Sequence, residues 1–191
     1  MHRGFWILVS LTLLHTSAVP ALALIQNGDF EAGGDGWIVI AIPPWIVSFP
    51  AAGGNPNGYA LIQSPFGNSQ GLGAILQGFE CGTPGSGSQC VIMFDYRLHQ
   101  VDAADNTGRV TVFLDNEPVF TSPSGNIDWT TVTLTVPCGE HAIGLALEVD
   151  AGNNGWEASF DNAQADCEQS TPVEAVTWGG IKSTFEQTGK P

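Results

Sequence analysis

Beyond residue 23, apolar and polar residues alternate in short runs, and Gly, Pro, Asn, Asp and Ser cluster between the runs. A period of two marks a strand with one face buried. The predicted strands cover 59–63, 74–79, 91–99, 109–114, 118–120, 130–136, 142–149 and 157–163. In 91–99, Ile92, Phe94, Tyr96 and Leu98 share one face, and Met93, Asp95, Arg97 and His99 share the other. Val132, Leu134 and Val136 are expected inward, as are Ile143, Leu145, Leu147 and Val149. Asp115-Asn116 reads as a tight turn. No long amphipathic helix interrupts the pattern. Many short strands between turn signals predict an all-β, two-sheet antiparallel sandwich, and a jelly roll suits their number.

The two ends depart from this pattern. His2 and Arg3, the apolar run 4–14 and Ala21-Leu22-Ala23 read as a secretory signal peptide over 1–23. No later run approaches the roughly 20 apolar residues of a membrane span. The chain is therefore expected to be secreted, extracellular or at the periplasmic or cell surface, with one domain over 24–168. Ser170-Thr171-Pro172 breaks the strand pattern, so 169–191 reads as a linker and tail.

Charge narrows the partners. The chain holds 19 acidic and 5 basic residues, and loss of the signal removes Arg3. Such a surface repels phosphate backbones and anionic lipid, which argues against nucleic acid. It suits calcium and neutral sugars. A hydrophobic content of 43% argues against disorder. Cys81, Cys90, Cys138 and Cys167 make an even count, which in an exported chain implies two disulfides. Three pairings are possible. Cys81 and Cys90 flank a Gly/Ser/Pro-rich stretch, 82–89, that reads as a hairpin tip. Cys138 ends one strand and Cys167 follows the last. The expected bonds are 81–90 and 138–167. Zinc is the rival, and the spacing lacks CxxC or nearby histidines.

Two segments about 130 residues apart carry the most chemistry: Asn27-Gly28-Asp29-Phe30-Glu31 with Trp37, and Ser159-Phe160-Asp161-Asn162-Ala163. Brought together, their carboxylates and carbonyls would cage a hard cation. With the FDYRL strand, the VFLDNEPVF hairpin and FDNAQ, the chain from 24 to 167 resembles jelly-roll carbohydrate-binding modules of families four, nine and twenty-two, within the galactose-binding-like superfamily. The resemblance implies a structural calcium held by the Asp29 carbonyl and the Glu31 and Asp161 carboxylates, with a further oxygen from 55–58. It also implies core positions for Trp37 and Trp129. The ligand would lie on a concave sheet face or in edge loops. Face candidates are Asp95, Arg97 and His99 with Arg109, Thr111 and Glu148. Edge candidates are Trp45, Phe49, Tyr59, Phe66 and Trp156.

The tail, with Pro172-Val173-Glu174 and Thr177-Trp178-Gly179-x-Ile181-Lys182, is similar to short C-terminal tails of some exported bacterial proteins; Phe185 stands where those continue to an arginine as well. Neither a phosphate-binding glycine loop nor a zinc HExxH motif occurs. His99 and His141 lack a nucleophile in recognisable context. The sequence thus predicts a non-enzymatic module that binds a polysaccharide or glycan and carries a structural calcium. The alternative is a structural or adhesive surface or matrix domain that binds a cell-surface protein.

Overall fold

The computed structural model describes residues 24–66, 70–85, 88–101, 106–153 and 155–167. The predicted signal peptide and tail lie outside the described residues. Ten strands follow one another: β1 (Ile38–Ile40), β2 (Ile46–Ser48), β3 (Ala60–Gln63), β4 (Gly71–Cys81), β5 (Gln89–Gln100), β6 (Gly108–Leu114), β7 (Glu117–Thr121), β8 (Ile127–Pro137), β9 (Gly139–Val149) and β10 (Trp156–Cys167). They form two antiparallel sheets of five, ordered β1-β4-β9-β6-β7 and β2-β3-β10-β5-β8. The expected sandwich is therefore present. All eight predicted strands exist, most of them longer than the alternation alone marked, because ladder pairing continues past the last apolar residue.

Alternation decides the core. Ile92, Phe94, Tyr96 and Leu98 of β5 are buried, as are Ile143, Leu145, Leu147 and Val149 of β9. They meet Ile75, Phe79, Trp156 and Phe160 between the sheets. Burying one such side chain fully stabilises the fold by about 1.5–3 kcal/mol. Asp115 and Asn116 both have positive φ, 53° and 69°, as a two-residue type I′ hairpin requires, and they join β6 to β7.

The N-terminal motif is knitted to the sandwich by amides. The Asn27 side chain donates to the carbonyls of Gly33 and Asp35 and accepts the Ala32 N–H. The Trp37 indole donates to the Asn27 carbonyl at 3.2 Å. Buried Gln77 accepts the Gln26 N–H and donates to the carbonyls of Gln26 and Gly36. At the far end, Ala163 N–H donates to the Gly28 carbonyl at 2.9 Å. The two motifs do meet.

The cysteines correct two expectations. Cys81 and Cys90 are bonded, with Cα atoms 6.0 Å apart. Yet the stretch between them is no hairpin tip, because β4 and β5 belong to different sheets. The bond staples one sheet to the other. Cys138 is buried and free, so the expected 138–167 bond is not formed. Register gives the reason. Cys167 stands opposite Cys90, and Cys90 stands opposite Val136. All of β5 thus separates Cys167 from the end of β8, roughly 9.6 Å as two strand spacings, whereas a disulfide needs Cα atoms within about 7 Å.

Candidate functional site

The outer face of the second sheet carries three polar rows. Gln63 on β3, Glu157 on β10 and His99 on β5 stand abreast. The next row sets Leu61, Ser159 and Arg97 abreast, and the third sets Asp161, Asp95 and Thr131. Within the first row, Gln63 Nε2 donates to Glu157 Oε1 at 2.6 Å. In the second, Arg97 Nη2 donates to Ser159 Oγ at 3.3 Å.

Two aromatic rings frame Arg97. Its guanidinium carbon lies 5.1 Å from the Trp129 ring centroid and 5.9 Å from that of Tyr59. The two rings meet edge to face at 6.3 Å. Both distances suit cation–π contact. A bulge in β8 helps: Ile127 faces Leu98 and Thr130 faces Tyr96, so Asp128 and Trp129 together oppose Arg97. Arg97, His99, Asn126, Asp128, Glu157 and Ser159 line an adjoining cleft of about 290 Å³. The Asn126 side chain accepts the Gln100 N–H at 2.7 Å, which ties the cleft rim to β5.

The third row ends at the seam between the chain ends. Asp161 is 1% exposed. Its Oδ2 accepts the Asn55 N–H at 2.6 Å and its Oδ1 accepts the Asn162 N–H at 2.7 Å. Burial raises its pKa above the ordinary carboxylate value; those two N–H groups pull it down, and the charges of Asp95 and Asp29 push it up again. Asp95 accepts from the side chains of Asn55, Asn162 and Thr131. Glu31 Oε1 accepts the Gly58 N–H at 3.2 Å. A Cβ on Gly54 would collide with the carbonyls of Asn57 and Gly58 and with Asp161 Oδ2, so these oxygens converge on one point of the loop. Among the described residues no three His, Cys, Asp or Glu side chains group to hold a metal. A cation at this seam would rest on Glu31 and Asp161 together with carbonyl oxygens, the donor set that calcium accepts.

The other candidates disperse. Glu148, Arg109 and Thr111 lie on β9 and β6 of the first sheet, away from Arg97 and His99. There Thr111 Oγ1 donates to Glu148 Oε2 at 2.7 Å, and Arg109 pairs with Asp150 at 3.6 Å. Trp156, expected in an exposed loop, is a core residue at 1% exposure whose indole donates to Asn106 Oδ1. It covers Gly108, where a Cβ would strike the indole. Trp45 is half-buried over Gly71 and Gly73. Phe49 stacks on Phe30 at 6.0 Å. Phe66 is exposed. Trp37 is in the core as expected, but Trp129 is not: it is half-buried on the polar face. Glu157, Asn126 and Asp128 went unnoticed in the sequence, and Ser159 was marked only as part of the end motif. Glu157 and Ser159 do alternate with buried Ala158 and Phe160, yet no pattern within β10 reveals that β5 is its neighbour.

No protein-family model and no curated protein matches the chain. Solved structures do. The K3 cleaved adhesin domain of Lys-gingipain from Porphyromonas gingivalis matches with a TM-score of 0.56 at 15% identity, over 75% of this chain and 99% of that one. The enzymatically active domain of tailspike protein 4 of bacteriophage CBA120 matches with a TM-score of 0.50 at 14% identity, over 76% of this chain and 21% of that one. A family-four carbohydrate-binding module matches with a TM-score of 0.48 at 16% identity, over 73% and 99%. At these identities the likeness of the first two shows the fold alone, a two-sheet antiparallel β-sandwich.

Proposed function

We propose that this chain is an exported, non-catalytic carbohydrate-binding module whose ligand lies along the outer face of the second sheet. The observation that carries this reading is the Arg97 guanidinium set over the faces of Trp129 and Tyr59 beside a cleft of polar side chains. Aromatic planes take the apolar faces of sugar rings. Arg97, His99 and Glu157 supply donors and acceptors for hydroxyls, and charge-assisted bonds are the stronger kind. A neutral glycan suits a chain with a net charge of −14, since an acidic one would meet repulsion.

The test is electrophoresis of the full chain through gels containing xylan, mixed-linkage β-glucan, mannan or galactan. Retardation by at least one, lost in Arg97→Ala, supports the reading. Equal mobility in every gel sinks it and favours the adhesive alternative. Release of reducing ends from the same polysaccharides would overturn the non-catalytic part.

Calcium belongs to the same proposal. The Glu31 and Asp161 carboxylates, the Asp29 carbonyl and a carbonyl of the 55–58 loop would hold it. Its role would be to pin that loop and the N-terminal motif to β10. A melting temperature unchanged by rigorous chelation would remove it from the account.

A further inference from the structure

One group of reactive side chains takes no part in the cleft or the seam: the cysteines at the end of the sandwich where β4 gives way to β5 and β8 to β9. Cys81 and Cys90 are bonded and fully buried. Cys138, buried and free, is the single residue between β8 and β9. It belongs to the same buried cluster as that disulfide. Its N–H donates to the carbonyl of Ser88, two residues before Cys90. Its neighbour Gly139 is the register partner of Cys81. On the other side of β5, the backbone of Cys167 stands opposite Cys90.

We propose that this end of the molecule is a thiol–disulfide exchange site, whose fully oxidised form carries Cys81–Cys138 and Cys90–Cys167. Parity and topology lead there. With Cys81 bonded to Cys90, the two remaining cysteines are too far apart to join, because β5 lies between them. That pairing therefore leaves two thiols under any oxidant. The exchanged pairing leaves none. Cys90 and Cys167 are register partners on adjacent antiparallel strands, whose Cα atoms lie about 4.5–5.5 Å apart, inside the range a disulfide accepts; Cys138 is the chain neighbour of Gly139, the register partner of Cys81. The new bonds would also close sequence separations of 57 and 77 residues in place of 9. Longer loops remove more freedom from the unfolded chain.

The chemistry balances in two steps. The Cys138 thiolate attacks Sγ of Cys81, the Cys81–Cys90 bond breaks, and Cys90 leaves as the thiolate with the electron pair. No net oxidation occurs in that step. Cys90 and Cys167 then give two electrons and two protons to a small disulfide such as oxidised glutathione, which departs as two thiols.

Trypsin reads the outcome directly. Cleavage after Arg97, Arg109 and Lys182 places Cys81 and Cys90 on one fragment, and Cys138 and Cys167 on another, 110–182. The full chain is equilibrated with a reduced and oxidised glutathione mixture, quenched in acid, alkylated in denaturant, digested and weighed without reduction. The expected result is a covalently linked pair of these fragments with no alkylated cysteine, and separate fragments for Cys138→Ser. Wild-type fragments that stay separate, with Cys138 and Cys167 alkylated or capped by glutathione, overturn the proposal, however the variant folds.

Discussion

The two outer faces of this sandwich have the same architecture and opposite chemistry. Across the second sheet the rows read Gln63–Glu157–His99, then Leu61–Ser159–Arg97, then Asp161–Asp95–Thr131. Across the first they read Ile38–Leu76–Gly144–Phe113 and Ile40–Ala74–Ala146–Thr111, with Leu72–Glu148–Arg109 at one end. The first face holds a shallow groove of about 230 Å³ lined by Ile40, Leu72, Leu76 and Phe113 among others. Its strands expose large aliphatics: Ile38 is 66% exposed and Ile40 45%. A polar face with a framed cation can orient hydroxyls. An apolar face offers area without direction. The difference locates the ligand proposal on one sheet.

The sharpest way to break the comparison is Trp129→Ala. It should weaken polysaccharide binding by roughly thirtyfold or more, since a central aromatic anchor commonly contributes about 2 kcal/mol. The melting temperature should move little, because the ring lies outside the core. Phe113→Ala on the opposite face should leave binding within about twofold. Equal losses from both, measured by isothermal calorimetry, would erase the distinction between the faces.

The third row of the polar face sharpens it through pH. Burial holds the Asp161 pKa above its usual value of 3.8. The folded state therefore binds more protons than the unfolded one between about pH 4 and the raised value, and stability falls as pH rises through that window. A dication at the seam would offset the loss. Calcium should then raise the melting temperature by several degrees at pH 7 and by less at pH 4, as calorimetric scans would show. A gain independent of pH would separate the cation from Asp161.

Leu76→Lys, on the apolar face, should cost at most about 1 kcal/mol in urea unfolding and leave polysaccharide affinity intact. The smallest effect is expected where the β6–β7 turn meets His141 of β9. His141 is partly buried, which lowers its pKa, but hydrogen bonds to Asp115 and the Pro137 carbonyl and the Asp115 charge outweigh that and raise it. Burial raises Asp115, and its bonds to His141 and Ala142 with the His141 charge bring it lower overall. The histidine's contribution is complete below about pH 6.5 and fades as pH rises through its raised value. That of Asp115 is present above about pH 4 and fades as pH falls. His141→Gln should flatten the melting temperature between pH 6 and 8 by about 2 °C or less, in keeping with a partner half open to water.

Period-two alternation made eight strands and nearly the whole core legible, and the paired end motifs foretold the seam. It also placed odd positions of β8 outward, since Val132, Leu134 and Val136 face in. Trp129 obeys that alternation; the core position implied by the family resemblance does not hold for it. What alternation cannot supply is strand order. Arg97 and Glu148 each face outward, but from different sheets, and nothing within either strand says so. β1 and β2 escaped notice because each is only three residues long, on either side of Pro43-Pro44, too short to show a period. Trp156 escaped because its glycine neighbour is distant in sequence: the room it occupies is made at Gly108.

One consequence of the strand order concerns assembly in time. β10, the last strand described, sits at the centre of the second sheet, between β3 and β5. Without it that sheet is two separate ribbons, β2-β3 and β5-β8. The polar face thus has no continuous surface until β10 has been made. The closing step must then join partners about a hundred residues apart in sequence, a pairing whose loop-closure cost slows folding. Until that strand is seated, the edges of β3 and β5 stand open to other chains, and this interval is when the protein is most vulnerable to aggregation.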